Sequence, residues 1–322
     1  MSLYGLFKGT GENGFGWSTT ADEVTDGLDL SGRTILITGS NSGLGFETMR
    51  VLAARGATVL AAARSQQKAD DAASRVDGDT HPVVCELSDP SSVRACADDI
   101  RAAGHTLDAI ICNAGIMALP KRQTVFGYEK QFFVNHVGHF ILVTELLDEL
   151  ADDGRVVVLS SAAHEMAPDK GIEFDDLGAE KRYGDWRAYG HSKLANLLFA
   201  RELGRRFDSD DTDRVANAVH PGPIDTNLTR NMNALFRGLW SVAGPLFLKS
   251  IPEGSATQAW AAAHPDAADI NGEYMADCNV AESSGNGADM QMAKRLWERT
   301  ESIVDEVTDA GDQPNGSDRA AS

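Results

Sequence analysis

The chain has 322 residues, with 31 Asp and 17 Glu against 20 Arg and 9 Lys, which gives a formal charge of −19. Such a surface repels phosphate backbones and excludes nucleic acid as a partner. No apolar run reaches the roughly 18 residues that a spanning helix needs, and residues 1–31 lack the cationic start and apolar stretch of a secretion signal. A soluble, cytoplasmic protein is therefore expected. Compact carboxylates with few lysines also suit a surface adapted to high salt, where screening removes the self-repulsion. Cys85, Cys96, Cys112 and Cys278 form no C-x-x-C pair and are read as reduced thiols. His136 and His139, and His164 beside Glu165, match no ligand spacing, so no metal is expected and these histidines are read as structural.

In chain order, Gly5 to Gly16 is glycine-rich, and Thr20-Ala-Asp-Glu23 has the pattern of a capping box opening a short helix. From Arg33 strands alternate with helices. Strands are expected at Thr34–Thr38, Thr58–Ala62, Val83–Glu86, Leu107–Cys112, Arg155–Ser160 and Val215–His220. Helices are expected at Gly43–Arg55, Gln66–Arg75, Pro90–Ala103, Tyr128–Leu150 and Asp185–Phe207. Strands rich in Val, Ile and Leu without alternation suit a parallel sheet covered on both faces. Repeated right-handed βαβ units give an α/β fold, a single doubly wound Rossmann domain. The expected organisation is an N-terminal extension at 1–31, the domain at 32–306 and a flexible Asp-, Gly- and Ser-rich tail at 307–322. Residues 227–254 interrupt the alternation with Leu228, Leu235, Phe236, Leu239, Trp240, Leu246, Phe247 and Leu248. This stretch reads as an apolar flap over a ligand, with a homo-oligomer contact or a peripheral membrane contact as the rivals.

The first strand ends in Thr38-Gly39-Ser40-Asn41-Ser42-Gly43-Leu44-Gly45 and runs straight into a helix. Glycines there let the backbone approach a pyrophosphate, toward which the helix points its N–H groups. The second strand ends in Ala63-Arg64-Ser65, where an acidic residue would bind the ribose of NAD and repel a 2′-phosphate. Arg64 can instead pair with that phosphate, which favours NADP(H), with NAD(H) as the alternative. Glu86-Leu87 can border the adenine, and Asn113-Ala114-Gly115 closes the fourth strand with little bulk.

Tyr189 and Lys193 stand four apart on one helical face. A free tyrosine is a poor base at neutral pH, and an adjacent ammonium is expected to lower its pKa by about 1–3 units. Ser160-Ser161 ends the fifth strand at the edge where ligands bind, and a hydroxyl there can donate to a substrate oxygen. Asn135, on the preceding helix, can hold a water against Lys193.

Taken in order, Thr38–Gly45, Asn113-Ala-Gly115, Asn135, Ser161, Tyr189-x3-Lys193 and Pro221-Gly222 resemble the short-chain dehydrogenase/reductase family over about residues 30–306. The resemblance implies Tyr189 as general acid/base, Lys193 lowering its pKa and holding the nicotinamide ribose, Ser161 orienting the carbonyl and Asn135 supporting a relay water. It also implies that Pro221, Gly222, Ile224 and Thr226 contact the nicotinamide carboxamide. Asn135-His-Val-Gly-His-Phe140, Lys181-Arg-Tyr183, His191-Ser-Lys-Leu-Ala-Asn196, Pro252-Glu-Gly254 and Gly272-Glu-Tyr-Met-Ala-Asp-Cys278 resemble its retinol-dehydrogenase-like branch. An oxidoreductase acting with NADP(H) on a small apolar alcohol or carbonyl compound is expected. The alternatives are an NADP(H)-responsive binding protein without activity and an epimerase or dehydratase with bound cofactor. Against them stand the complete set Asn135, Ser161, Tyr189 and Lys193 and the lack of a Gly-x2-Gly-x2-Gly loop.

Overall fold

The computed structural model describes residues 9–224 and 248–311. Helix α1 (Ala21–Val24) opens with the reciprocal cap its sequence predicts: the Thr20 hydroxyl accepts from the Glu23 N–H, and the Glu23 carboxylate accepts from the Thr20 N–H. Strand and helix then alternate as β1 (Thr34–Thr38), α2 (Gly43–Ala54), β2 (Thr58–Ala63), α3 (Gln66–Ala73), β3 (Thr80–Val84), α4 (Pro90–Ala102) and β4 (Leu107–Cys112). A hairpin of β5 (Thr124–Val125) and β6 (Tyr128–Glu129) leads into α5 (Lys130–Phe132), a π-helical turn (Phe133–Val137) and α6 (Gly138–Glu145). The chain continues through β7 (Leu150–Leu159), α7 (Asp185–Phe207) and β8 (Val215–His220). Its last described elements are α8 (Ile251–Ala263), β9 (Tyr274–Ala276), β10 (Asn279–Val280) and α9 (Met290–Gly311).

The main sheet has the order β10-β9-β8-β7-β4-β1-β2-β3 and is parallel except for the β9–β10 hairpin. From β1 the chain builds outward to β3, then returns to place β4 on the other flank of β1. That reversal opens a crevice beyond the carboxyl ends of β1 and β4. Successive residues of each central strand feed two separate cores. Leu36, Leu60, Ile110, Val156 and Val158 join one face, while Ile35, Ile37, Val59, Ile111 and Val157 join the other. A sheet buried on both faces needs apolar residues at consecutive positions, which is why these strands lack alternation. All four cysteines are free and buried. This is the doubly wound Rossmann architecture.

Several bounds differ from expectation. The third strand starts earlier, because Thr80 pairs with Val59 and Val84 with Ala63, and Glu86 falls beyond its end. Pro82 is tolerated there because β3 is an edge strand. The single helix expected over 128–150 is broken into a hairpin, a π-helical turn and a short helix, and Leu150 opens β7 instead. Between the pairs Leu107–Leu150 and Ala109–Arg155 the β7 strand carries extra residues, so it is longer than its apolar run. Helix α9 runs through Gly311, past Val307 where a tail was expected. Residues 227–247 of the expected flap and 312–322 of the expected tail lie outside the described residues.

Candidate active site

At the end of β1 the chain turns through Gly39, with φ +68°, where an added Cβ would sit 2.9 Å from Ala114 Cα. Gly45 lies in the first turn of α2, and an added Cβ there would come within 2.4 Å of Asn113 Nδ2 and 2.5 Å of Gly39 O. These two contacts bring loop, helix and β4 closer than any side chain permits. Gly43 between them faces open space. The N-cap residue Ser42 makes no side-chain cap, which leaves first-turn N–H groups of α2 for a ligand. The cradle fits a dinucleotide pyrophosphate.

Two strand ends are laced together beneath this cradle. Asn113 Nδ2 donates to Thr38 O at 2.8 Å, and the N–H groups of Asn113 and Ala114 both donate to Thr38 Oγ1 at 3.0 Å. The Thr38 hydroxyl in turn reaches His139 Nε2 at 2.8 Å, and His139 Nδ1 lies 2.8 Å from Asn135 O. A carbonyl only accepts, so Nδ1 carries the ring proton and Nε2 accepts from Thr38. Burial pushes His139 down to about 4, so the ring stays neutral. This link between the glycine loop and Asn135 is absent from the sequence motifs. Its sequence signal is His139, four residues after Asn135 within Asn135-His-Val-Gly-His-Phe140.

Arg64 follows β2 on the same sheet edge, exposed and without an ion pair among the described residues. Ser65 precedes α3 without capping it. Glu86 is drawn into a local turn, accepting from the N–H of Ser88 at 3.1 Å and its hydroxyl at 2.8 Å. Leu87 is buried against Gly138. Both stand just past β3, and neither lines the central cavity described below.

The two serines at the end of β7 part company. Ser160 Oγ donates to Lys193 O at 2.8 Å and is consumed in the fold. The Ser161 hydroxyl accepts from the Ala163 N–H at 3.2 Å and lines the same cavity as Tyr189. Tyr189 and Lys193 lie one turn apart on α7, with Lys193 Nζ 5.7 Å from the centre of the phenol ring. Burial raises Tyr189 to about 12, with a smaller opposing pull from Ser161. The expected lowering by Lys193 is therefore corrected: Lys193 is not among the groups that move the phenol; burial dominates, and the phenol is held protonated. Lys193 donates to Leu159 O at 2.8 Å, and burial pushes it down to about 8.

Asn135 sits in the π-helical turn, a local widening common at functional sites. Its Nδ2 donates to Ile116 O and Ser192 Oγ, both at 2.9 Å, and its Oδ1 accepts from the Ile116 N–H at 2.8 Å. Both amide protons are used, and Oδ1 keeps one lone pair. That oxygen and Lys193 Nζ face the same point beside Gly115, at 3.3 and 3.6 Å from where a Cβ would stand.

These groups open on a cavity of about 690 Å³ lined by Asn113, Gly115, Ser161, Tyr189, Lys193 and the Pro221–Ile224 segment. Leu44, Ile116, Met117, Met166, Trp186 and Leu248 form apolar wall. Met166 and Trp186 are 53% and 38% exposed, unusual for residues of their kind. Of these, Ile116, Met117, Met166 and Trp186 are missed by sequence reasoning, since only the tertiary fold brings them together. Thr226 lies outside the described residues.

A family model described as short chain dehydrogenase matches residues 33–173. Short-chain dehydrogenase TIC 32 A, chloroplastic, from Brassica napus is 37% identical over 320 residues, covering 95% of this chain and 100% of that protein. Mouse retinol dehydrogenase 12 is 41% identical over 280 residues, 85% of this chain and 86% of its own. Among solved structures, a Mycobacterium paratuberculosis protein superimposes with TM-score 0.74 at 36% identity, covering 90% of this chain and 98% of that one. A blue fluorescent protein from a metagenomic library, solved with NADPH, gives TM-score 0.61 at 25% identity over 77% of this chain and 97% of its own. The chain belongs to the short-chain dehydrogenase/reductase family, whose members bind NAD(P) and act on alcohol and carbonyl groups. Its similarity to retinol dehydrogenases places it in their branch. The cytoplasmic expectation is overturned, since TIC 32 A and its Brassica counterpart TIC 32 B, each matched over its full length, are chloroplastic. No helix among the described residues is long and apolar enough to cross a membrane.

Proposed function

We propose that this protein interconverts an apolar alcohol and its ketone or aldehyde with NADP(H), using Tyr189 to move the proton. The observation that carries this reading is the convergence of Ser161, Tyr189 and the buried Lys193 on one cavity with apolar walls, Lys193 Nζ lying 5.7 Å from the Tyr189 ring centre. The bound nicotinamide would supply the hydride in reduction and accept it in oxidation. The glycine loop and α2 hold the pyrophosphate, and Arg64, next to the small Ala63, meets the 2′-phosphate. Ser161 orients the substrate oxygen. Tyr189, protonated at neutral pH, gives its proton to that oxygen during reduction and takes one back during oxidation. A charged Lys193 stabilises the phenolate left behind, and the free lone pair of Asn135 Oδ1 faces it to hold a relay water. The NADPH bound by the metagenomic relative supports the cofactor preference. The formal charge of −19 extends the reading to a protein most stable in molar salt.

The test is a panel of medium-chain and cyclic aldehydes, ketones and alcohols, assayed against small hydroxy acids with each cofactor. Preferential turnover of the apolar members with NADPH is expected. Activity confined to small charged acids would refute the apolar-substrate reading. Equal use of NADH would refute the role of Arg64.

A further inference from the structure

The N-terminal segment lies ahead of the region that the family model matches, yet it packs behind the cofactor-facing wall. Residues 9–17 form a small loop closed by a Thr10–Gly16 bridge and by the Gly11 N–H donating to Phe15 O at 2.7 Å. This loop clasps the two-residue turn between β9 and β10. Asn13 Nδ2 donates to Cys278 O at 2.8 Å, and Asn279 Nδ2 donates to Phe15 O at 3.2 Å. Asp277 and Cys278, the two turn residues, have φ +54° and +59°. A two-residue turn of this hand demands left-handed backbone at both places, and cysteine is ill suited to it.

From that turn the Asp277 carboxylate meets Lys249 Nζ at 2.7 Å, and the Lys249 side chain is only 1% exposed. The ammonium also lies 5.0 Å from the ring centre of Trp17, within cation–π range. On its other side Lys249 presses on Gly222, where an added Cβ would sit 2.7 Å from Lys249 Cδ. Its N–H donates to Pro223 O at 2.8 Å, and its backbone bridges Ile224. One line of contacts thus runs from the N-terminal loop, through a strained turn and a buried ion pair, to the Pro221–Ile224 wall. A buried ion pair is poor value as a stabiliser compared with apolar packing, but it fixes geometry.

We propose that residues 9–17 belong to the cofactor site, with Asn13 and Trp17 acting through Asp277 and Lys249 as positioning residues for the Pro221-Gly222-Pro223 wall. The inference rests on the dehydrogenase reading above, in which that wall faces the nicotinamide end of the cofactor. It makes the N-terminal extension a working part of the enzyme.

The test uses the full chain with Trp17→Leu and, separately, Asn13→Ala. Binding of NADPH and of 2′,5′-ADP, which lacks the nicotinamide, is measured by calorimetry beside thermal unfolding. NADPH affinity is expected to fall about fivefold or more, with 2′,5′-ADP affinity kept within about twofold. Unchanged NADPH affinity in both variants would overturn the proposal. An equal fall for the two ligands, following the melting temperature, would overturn it too, by showing general destabilisation. Wild-type protein that binds neither ligand would overturn the cofactor reading and this inference with it.

Discussion

Lys193 and Lys249 are both removed from solvent, at 3% and 1% exposure, but only Lys249 has a carboxylate partner among the described residues. Around Lys249, Asp277 at 2.7 Å and the face of Trp17 hold a charge in one place. Around Lys193 the amine has a backbone carbonyl, Leu159 O at 2.8 Å, and burial pushes its pKa down to about 8. A carbonyl dipole compensates a buried ammonium far less than a carboxylate does. Lys193 is thus left responsive to whatever enters the cavity, while Lys249 is locked. An amine that assists a reaction and an amine that props a loop need opposite surroundings, and the two sides of one cavity supply them.

Breaking the reactive side should give the largest effect. Tyr189→Phe is expected to cut kcat by ~10³-fold, the scale of a lost proton-transfer group, with NADPH affinity nearly unchanged in a calorimetric titration. Full turnover in that variant would remove Tyr189 from the role assigned to it.

The next effect separates the two lysines by pH. For reduction, kcat/KM should fall as pH rises through about 8, where Lys193 loses its charge. Lys249→Met should leave that limb in place, and Lys193→Met should abolish it along with ~10²-fold of activity. Stability gives the complementary readout. Between pH 8 and the ordinary lysine value of 10.5, the unfolded chain holds a proton on Lys193 that the folded chain does not. The Lys193 contribution to stability therefore rises with pH through that window. Lys193→Met should flatten the rise and stabilise the protein near neutrality. Lys249→Met, which removes a buried ion pair, should instead cost about 3 kcal/mol in chemical denaturation. If both variants shift stability in the same direction, the contrast fails.

A smaller effect is expected at the far end of the cofactor cradle. Arg64→Ala should weaken NADPH about tenfold, or about 1.4 kcal/mol, and leave NADH unaffected. A fluorescence titration showing equal losses for both cofactors would take the 2′-phosphate away from Arg64. The smallest effect is spread over the whole surface: the melting temperature should rise by several degrees between low salt and molar KCl, as screening relieves the −19 charge. A salt-independent melting temperature would mark the acidity as incidental.

Local pattern was enough for much of the scaffold and part of the site. β1, β4, β8 and α7 run over the spans their residues predict, because strand runs, caps and helical spacing act within a few residues. The four-residue spacing of Tyr189 and Lys193 likewise puts them on one face of α7 from sequence alone. The 128–150 region defies periodicity because residues 131–143 are all buried, so no polar face marks the helix. The directions in which Tyr189 and Lys193 titrate were out of reach for a related reason. Desolvation sums over every element packed around a group, and here it is the largest cause for both. The division of labour between Ser160 and Ser161 depends on where α7 lies against β7. The path from Trp17 to Gly222 depends on Trp17 and Lys249, far apart along the chain, coming into contact. What sequence determined were short-range geometries, the glycine turn, the strand ends and the Tyr–Lys spacing, since each rests on backbone chemistry within one or two turns. Tertiary structure alone decided burial, partner choice and charge state, because those are set by residues distant along the chain.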